Sequence, residues 1–101
     1  MVKHIILWKL RSELTQEEKY QIKKEIKAGL EGLKGVVPGL LEVKVQIDGI
    51  IDSSNADLML DCTLENGEAL KGYAVHPAHV AVASTKVRPF TEVRTCLDFE
   101  I

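Results

Sequence analysis

The sequence lacks an apolar run close to the ~20 residues that a membrane-spanning helix needs. It also lacks a block of basic residues, because its 13 lysines and arginines are interspersed among 15 acidic residues and the net charge is −2. Nucleic-acid binding requires a basic face that releases counterions, and no such face is indicated. We therefore expect neither a membrane nor a nucleic acid as partner.

Cysteine, proline and aromatic residues are scarce, with two cysteines, three prolines and 5% aromatics. Cys62 and Cys96 each lie in a strand-like stretch, and because the strand pattern begins at Val2 we expect no secretory leader. Two cysteines in that setting are expected to be buried thiols in a reducing cytoplasm, and a disulfide between them is the alternative. A cytoplasmic location is therefore predicted.

The amino-acid composition is otherwise that of a globular protein. The apolar and polar patterns of the sequence predict one α+β domain over residues 1–101. Alternating apolar residues predict strands, and Thr15-Gln16-Glu17-Glu18 has the capping-box pattern of a helix start. Asn66 is placed to cap a second helix that stops near His76, and Pro77 suits the first turn of a third helix, towards Val87. Strands are predicted at 2–10, 41–47, 57–64 and 93–99, and the second strand is expected to bury one face that carries Leu41, Val43, Val45 and Ile47. The first helix carries Ile22, Ile26, Leu30 and Leu33 on one side and is predicted to stop at Gly35, before the Pro38-Gly39 turn.

The resulting order, β-α-β-β-α-(α)-β, is typical of the ferredoxin-like βαββαβ subunit, in which helices cover one face of a four-stranded antiparallel sheet. Packing against a second copy would cover the other face, so we expect a homodimer joined through the open sheet face. A monomer with a solvated face is the alternative. The open face is predicted to carry the apolar residues Ile5, Leu7, Met59 and Cys96 among the charged residues Lys3, Glu42, Lys44, Asp57, Asp61, Arg94 and Asp98.

The neutral proton-transfer groups are concentrated in the segment from Tyr73 to His79 and at His4. A histidine near neutral pKa suits a general base, and a tyrosine hydroxyl suits a donor to a developing oxyanion. His79 and Tyr73 are therefore the candidate catalytic pair, with His4 as a pocket contact. The alternative is structural: His79 would bond a backbone carbonyl, Tyr73 would be a core residue, and His76 would fix the junction between helices.

Metal, covalent and phosphate chemistry are not indicated. His76 and His79 are three residues apart, but Pro77 interrupts the helix that would align them, so no metal is expected. The sequence has no glycine-rich phosphate loop, nucleophile elbow or paired-cysteine motif. No cofactor is predicted.

The sequence resembles the stress-responsive A/B barrel (Dabb) domain family over residues 2–99. The resemblance rests on Val2-Lys3-His4-Ile5-Ile6-Leu7-Trp8-Lys9, on Lys34-Gly35-Val36-Val37-Pro38-Gly39, and above all on the Tyr-x-x-His-Pro-x-His element within residues 70–80. The family implies a dimeric α/β barrel of ferredoxin-like subunits. It includes a plant polyketide cyclase that closes an aromatic ring by aldol condensation without a cofactor.

By that resemblance, Tyr73 and His79 match the residues that act in the cyclase pocket, and His4 matches a histidine that lines it. Ile22, Lys23 and Ile26 replace a more aromatic helix, so an aromatic substrate has less to stack on here. We expect a cofactor-independent cyclase, isomerase or lyase acting on a small hydrophobic carbonyl compound. The alternative is a non-catalytic stress or ligand-binding dimer, and a monooxygenase-like activity rests on fold analogy alone. The expected ligand contacts are His4, Ile6, Trp8, Ile26, Leu60, Cys62 and His76.

Overall fold

A four-stranded antiparallel sheet in the order β2-β3-β1-β4 is covered on one face by helices, in a computed structural model that describes residues 1–101. This arrangement confirms the predicted ferredoxin-like α+β subunit. None of the helices is long and apolar enough to cross a membrane. The strands are β1 (Val2–Leu10), β2 (Leu40–Gln46), β3 (Leu58–Leu64) and β4 (Thr91–Glu100), and the helices are α1 (Gln16–Glu31), α2 (Gly67–Val75) and α3 (Pro77–Val82).

The central strand β1 directs His4, Ile6 and Trp8 towards the helices, as the alternation predicts. Its neighbour β3 places Cys62 opposite His4 and Leu60 opposite Ile6, so that these side chains share one face. This face and the apolar side of α1 form the core, because removing their side chains from water is the main favourable contribution to folding.

Helix α1 begins as predicted. The Thr15 hydroxyl accepts a hydrogen bond from the Glu18 amide, and the Glu18 carboxylate accepts one from the Thr15 amide. The helix ends at Glu31 with Gly32 as its C-cap, earlier than the predicted stop at Gly35. Gly35 instead has a φ of +85° in the following turn, a conformation that favours glycine.

The junction between α2 and α3 follows the predicted proline break. Asn66 caps α2 through a hydrogen bond from the Ala69 amide, and α2 ends at Val75. His76 is extended, with Pro77 opening α3. The predicted single helix towards Val87 is wrong beyond Val82, because residues Ala83–Val87 form a π-helical turn and Arg88–Phe90 a 3-10 turn.

A side-chain hydrogen bond accompanies the change from α-helix to π-helical turn. The Thr85 hydroxyl donates to the Ala81 carbonyl at 2.7 Å. Such local side-chain bonds compete with the regular helical ladder.

The face predicted for strand β4 is wrong. In the observed register, Arg94, Cys96 and Asp98 lie opposite Trp8, Ile6 and His4, and therefore on the helix side of the sheet. Because β4 is an edge strand that is exposed along most of its length, its apolar residues are not drawn towards the core. The predicted burial of Cys96 is wrong for the same reason.

The open face of the sheet is consequently more apolar than predicted. Leu97 lies opposite Ile5, and Phe99 lies opposite Lys3. Leu97 is 61% exposed and Phe99 is 42% exposed. In β2, an irregularity between Leu40 and Glu42 also turns Leu41 outward, contrary to the predicted inward position.

Candidate functional site

A cavity of about 310 Å³ lies between the sheet and the helices. Its volume is at the lower end of the range of small-molecule pockets. Six of the predicted site residues line it, namely His4, Ile6, Trp8, Leu60, Tyr73 and His79, together with Leu30, Leu70, Ala74, Ala83, Val87, Arg88, Thr91 and Arg94.

Three predicted contacts do not line this cavity. Ile26 and Cys62 are completely buried in the core behind it. His76 instead caps α3, since its Nδ1 accepts a hydrogen bond from the Ala78 amide at 3.1 Å. His76 therefore lies at the junction between α2 and α3 as a capping residue, which is the structural alternative considered for it.

Tyr73 and His79 are brought together by the proline break. Their ring centroids are 4.2 Å apart with an interplanar angle of 39°. The His79 Nδ1–H donates to the Ala74 carbonyl at 3.3 Å, which assigns the hydrogen to Nδ1 and leaves Nε2 as a proton acceptor. Burial lowers the pKa of His79, with smaller contributions from its neighbours, so the neutral imidazole is favoured.

The Tyr73 hydroxyl is buried and makes no hydrogen bond of regular geometry, although the Cys62 thiol lies beside it. Burial raises the pKa of Tyr73, and the neighbouring Cys62 thiol adds to the effect. Burial also raises the pKa of Cys62 to about 12. Both groups therefore stay protonated at neutral pH, and Tyr73 keeps an unused donor.

His4 forms a second oriented imidazole in the cavity. Its Nδ1–H donates to the Asp98 carboxylate, and its ring centroid lies 5.8 Å from that of Tyr73 in an edge-on arrangement. A carboxylate on one ring nitrogen fixes the tautomer and leaves the other nitrogen as an acceptor. Asp98 was not predicted as a site residue, because the alternation of β4 suggested the other face of the sheet for it.

Arg88 and Arg94 are two further charged residues of the site that were not predicted from the sequence. Arg88 lies in the 3-10 turn and Arg94 in β4, and both line the cavity. The position of Arg94 could have been inferred from the alternation of β4 once Trp8 was placed opposite it. No comparable signal marks Arg88, whose position depends on the 3-10 turn that it forms with Pro89 and Phe90.

The three histidines do not form a group that could hold a metal. One set of donor atoms does lie close together, because His4 Nδ1, Cys96 Sγ and Asp98 Oδ1 are within 4.8 Å of one another. Hydrogen bonding links these atoms already, with the Cys96 thiol donating to Asp98 at 3.5 Å. A metal there would have to replace the proton between His4 and Asp98.

The fold and cavity define a class of ferredoxin-like α+β proteins with a pocket between sheet and helices. Residues 2–101 match the model of the Stress responsive A/B Barrel Domain, and the chain belongs to this family. The predicted family membership is therefore confirmed. No protein with curated functional information matches the sequence.

Solved structures share the fold of this chain. A dimeric protein of unknown function from Bacteroides fragilis is 31% identical with a TM-score of 0.90, over 99% of this chain and 95% of that one. A hydroxynitrile lyase from Passiflora edulis is 19% identical, with a TM-score of 0.73 and coverage of 99% and 92%. The heme degrader MhuD from Mycobacterium tuberculosis is 18% identical, with a TM-score of 0.72 and coverage of 100% and 95%. The last two similarities concern the fold alone.

Proposed function

We propose that the protein binds a small hydrophobic carbonyl compound in this cavity and removes a proton next to the carbonyl group. The observation that carries the proposal is the buried, unpartnered hydroxyl of Tyr73 beside the half-buried ring of His79. A buried polar group without a partner is costly, and a ligand oxygen would satisfy it.

The two side chains have complementary protonation states. Neutral His79 offers Nε2 as a base, and protonated Tyr73 offers an O–H donor. The carbonyl oxygen becomes negative as the α-proton leaves, so a donor that is already aimed at this oxygen stabilises the charge. This pair suits proton abstraction next to a carbonyl, which is the first step of aldol-type cyclisation and of isomerisation.

The proton and electron pairs balance without a further reagent. His79 takes the α-proton, and the electrons of the C–H bond form an enolate whose oxygen accepts a hydrogen bond from Tyr73. In a cyclisation, the enolate carbon bonds to a second carbonyl carbon of the same molecule, and the new alkoxide takes up the proton held by His79. In an isomerisation, that proton returns to another carbon.

His4 and Asp98 support this chemistry from the sheet side of the cavity. The His4 ring lines the cavity, and the Asp98 carboxylate holds its tautomer. We assign His4 the role of a ligand contact, since its available Nε2 suits a hydroxyl group of the ligand. A non-catalytic binding protein with the same cavity is the alternative function, favoured by the bond that ties His79 to the backbone of α2.

Thermal unfolding with a panel of aromatic, polyketide-like and lactone compounds tests the proposal. A ligand at a hundred times its Kd stabilises the binding protein by about 2.7 kcal/mol. We expect a shift in the wild type that is lost in His79→Ala and Tyr73→Phe but kept in His76→Asn, which retains a capping side chain outside the cavity. For each compound that binds, proton NMR in D₂O should show exchange of the α-proton that requires His79.

Two results would contradict the proposal. Binding without α-proton exchange would favour the non-catalytic alternative. The absence of any shift, together with a loss of about 1–3 kcal/mol of stability in His79→Ala, would make the histidine a structural residue.

We also propose that the chain forms a homodimer through the open face of its sheet. Val93, Leu97 and Phe99 are each more than two-fifths exposed on this face. Contiguous exposed apolar residues favour association. The Bacteroides fragilis relative is described as dimeric, which supports a dimer here, and the exposed apolar residues are what favour the sheet face as its interface.

A further inference from the structure

We infer that the ligand of this cavity is an organic carboxylate, with its apolar part between Trp8 and Leu70 and its carboxylate on Arg88 and Arg94. The inference rests on the proposed function, because it names the ligand class of the same cavity. It assigns the ligand a second functional group, in addition to the carbonyl group that would lie beside His79 and Tyr73.

The charge distribution carries the inference. The whole chain has a net charge of −2, yet none of the 14 residues that line the cavity is an aspartate or glutamate. Arg88 and Arg94 both line it, and neither takes part in any ion pair of the chain. Two unpaired guanidinium groups beside a cavity without a carboxylate are complementary to an anionic ligand.

The acidic side chains near Arg88 and Arg94 already accept hydrogen bonds from other groups. Asp98 accepts a hydrogen bond from His4, and Glu92 accepts one from the Ser12 amide at 2.7 Å. The third arginine of the chain, Arg11, donates to the Pro89 carbonyl at 3.0 Å. Arg88 and Arg94 are thus the cationic groups of this region that remain without an anionic partner.

The chemistry of arginine favours a carboxylate over a neutral polar group. A guanidinium presents its donors in a planar fork that matches the two oxygens of a carboxylate. Both arginines are exposed, so the anionic end of the ligand can remain near solvent while the apolar end is buried. A charged group at the cavity entrance costs less desolvation than one in the core.

The cavity also limits the size of the ligand. Its volume of about 310 Å³ and its apolar lining by Ile6, Trp8, Leu60 and Leu70 suit a single-ring or medium-chain acid. Anchoring the carboxylate at the arginines would hold the rest of the molecule towards Tyr73 and His79. Positioning of this kind is itself a large contribution to catalysis.

The test compares matched acids and esters by isothermal titration calorimetry. The probes are phenylacetate, 3-oxo-3-phenylpropanoate and octanoate, each with its neutral methyl ester, and phenyl phosphate as a second anion. The proteins are the wild type, Arg88→Gln, Arg94→Gln and the control Lys71→Gln. Lys71 is exposed on α2 and paired only with Glu68, so its loss changes the net charge equally without touching the cavity.

We expect each acid to bind more tightly than its ester, and each arginine substitution to weaken acid binding about tenfold, as expected for one charge-assisted hydrogen bond. Ester binding and the Lys71→Gln variant should be unaffected. His79 provides an independent readout, because a bound anion offsets the nearby positive charges. Its pKa, followed by NMR, should rise with the acids and stay constant with the esters.

Other outcomes separate this inference from the proposed function. Esters that bind as tightly as acids and still require His79 would overturn the carboxylate assignment and leave the carbonyl chemistry standing. Tighter binding of phenyl phosphate than of any acid would replace carboxylate by phosphate. The absence of binding by every probe would overturn the inference.

Discussion

At the scale of single residues, the site consists of ordinary side chains in unusual surroundings. Tyr73 and His79 lie six positions apart in the sequence, and the break at Pro77 brings their rings into contact. Burial then favours the neutral form of both groups. The combination of an available base and an available donor arises from packing rather than from residue type alone.

The lowered pKa of His79 predicts a pH dependence of stability. The unfolded chain binds a proton to His79 at about pH 6.5, whereas the folded chain binds it only at lower pH. Between these two pKa values the unfolded state holds more protons, so the free energy of unfolding should rise with pH. The contribution of His79 is complete above about pH 6.5 and is lost as the pH falls towards the lowered pKa.

Urea unfolding of the wild type and His79→Gln between pH 4.5 and pH 8 measures this dependence. The difference between the two proteins isolates His79 from the remaining titrating groups, provided that both unfold in two-state transitions. We expect the wild type to lose more stability than the variant as the pH falls below 6.5. Parallel curves would mean that His79 titrates equally in the folded and unfolded chains.

At the scale of secondary-structure elements, the junction between α2 and α3 positions the site. His76 is extended, and its Nδ1 accepts the amide of Ala78 in the first turn of α3. A capping acceptor of this kind typically contributes about 1 kcal/mol. The junction determines where His79 lies relative to Tyr73, so its geometry affects the site although His76 is not in the cavity.

The His76→Ala substitution should therefore cost about 1 kcal/mol of stability, and His76→Asn should cost less because asparagine is a good N-cap. Chemical denaturation of both variants gives the comparison. Equal losses in the two variants would assign the effect to the packing of the imidazole rather than to the cap. A neutral His76→Ala would show that the Ala78 amide is satisfied equally well by water.

Local sequence signals predicted most of these elements. The capping box at Thr15, the asparagine cap at Asn66 and the proline break at Pro77 each fix backbone geometry within a few residues, and each was confirmed. The π-helical turn after Val82 carried no comparable signal. Its Thr85 is a residue type that also occurs in regular helices.

The polar residues that β4 contributes to the site could not be predicted, because their position depends on tertiary register. Asp98 and Arg94 reach the helix side only when β4 pairs with β1 in the observed register, and alternation alone leaves two choices of face. The apolar residues of β4 suggested the wrong choice. They lie on the open face of the sheet, away from the helices, where other apolar side chains also lie.

At the scale of the whole molecule, this exposed face is the basis of the last prediction. Leu97 lies near the middle of β4, opposite Ile5 on the open face, and is 61% exposed in the single chain. In a sheet-to-sheet dimer its side chain would be buried against the partner. A charge there would lose its hydration without gaining an opposite charge, so Leu97→Glu should disfavour the dimer strongly.

Sedimentation equilibrium of the wild type, Leu97→Glu and Val75→Glu tests the interface. Val75 is 74% exposed but lies on α2, away from the sheet face, and so provides the same change of charge at another exposed aliphatic residue. We expect the wild type and Val75→Glu to be dimers, and Leu97→Glu to dissociate with a Kd about 100-fold or more higher, as for a central interface residue. If both substitutions weakened the dimer equally, the effect would not be specific to the sheet face, and the interface would lie elsewhere. A monomeric wild type would show that the apolar face of this sheet is covered by something other than a second copy.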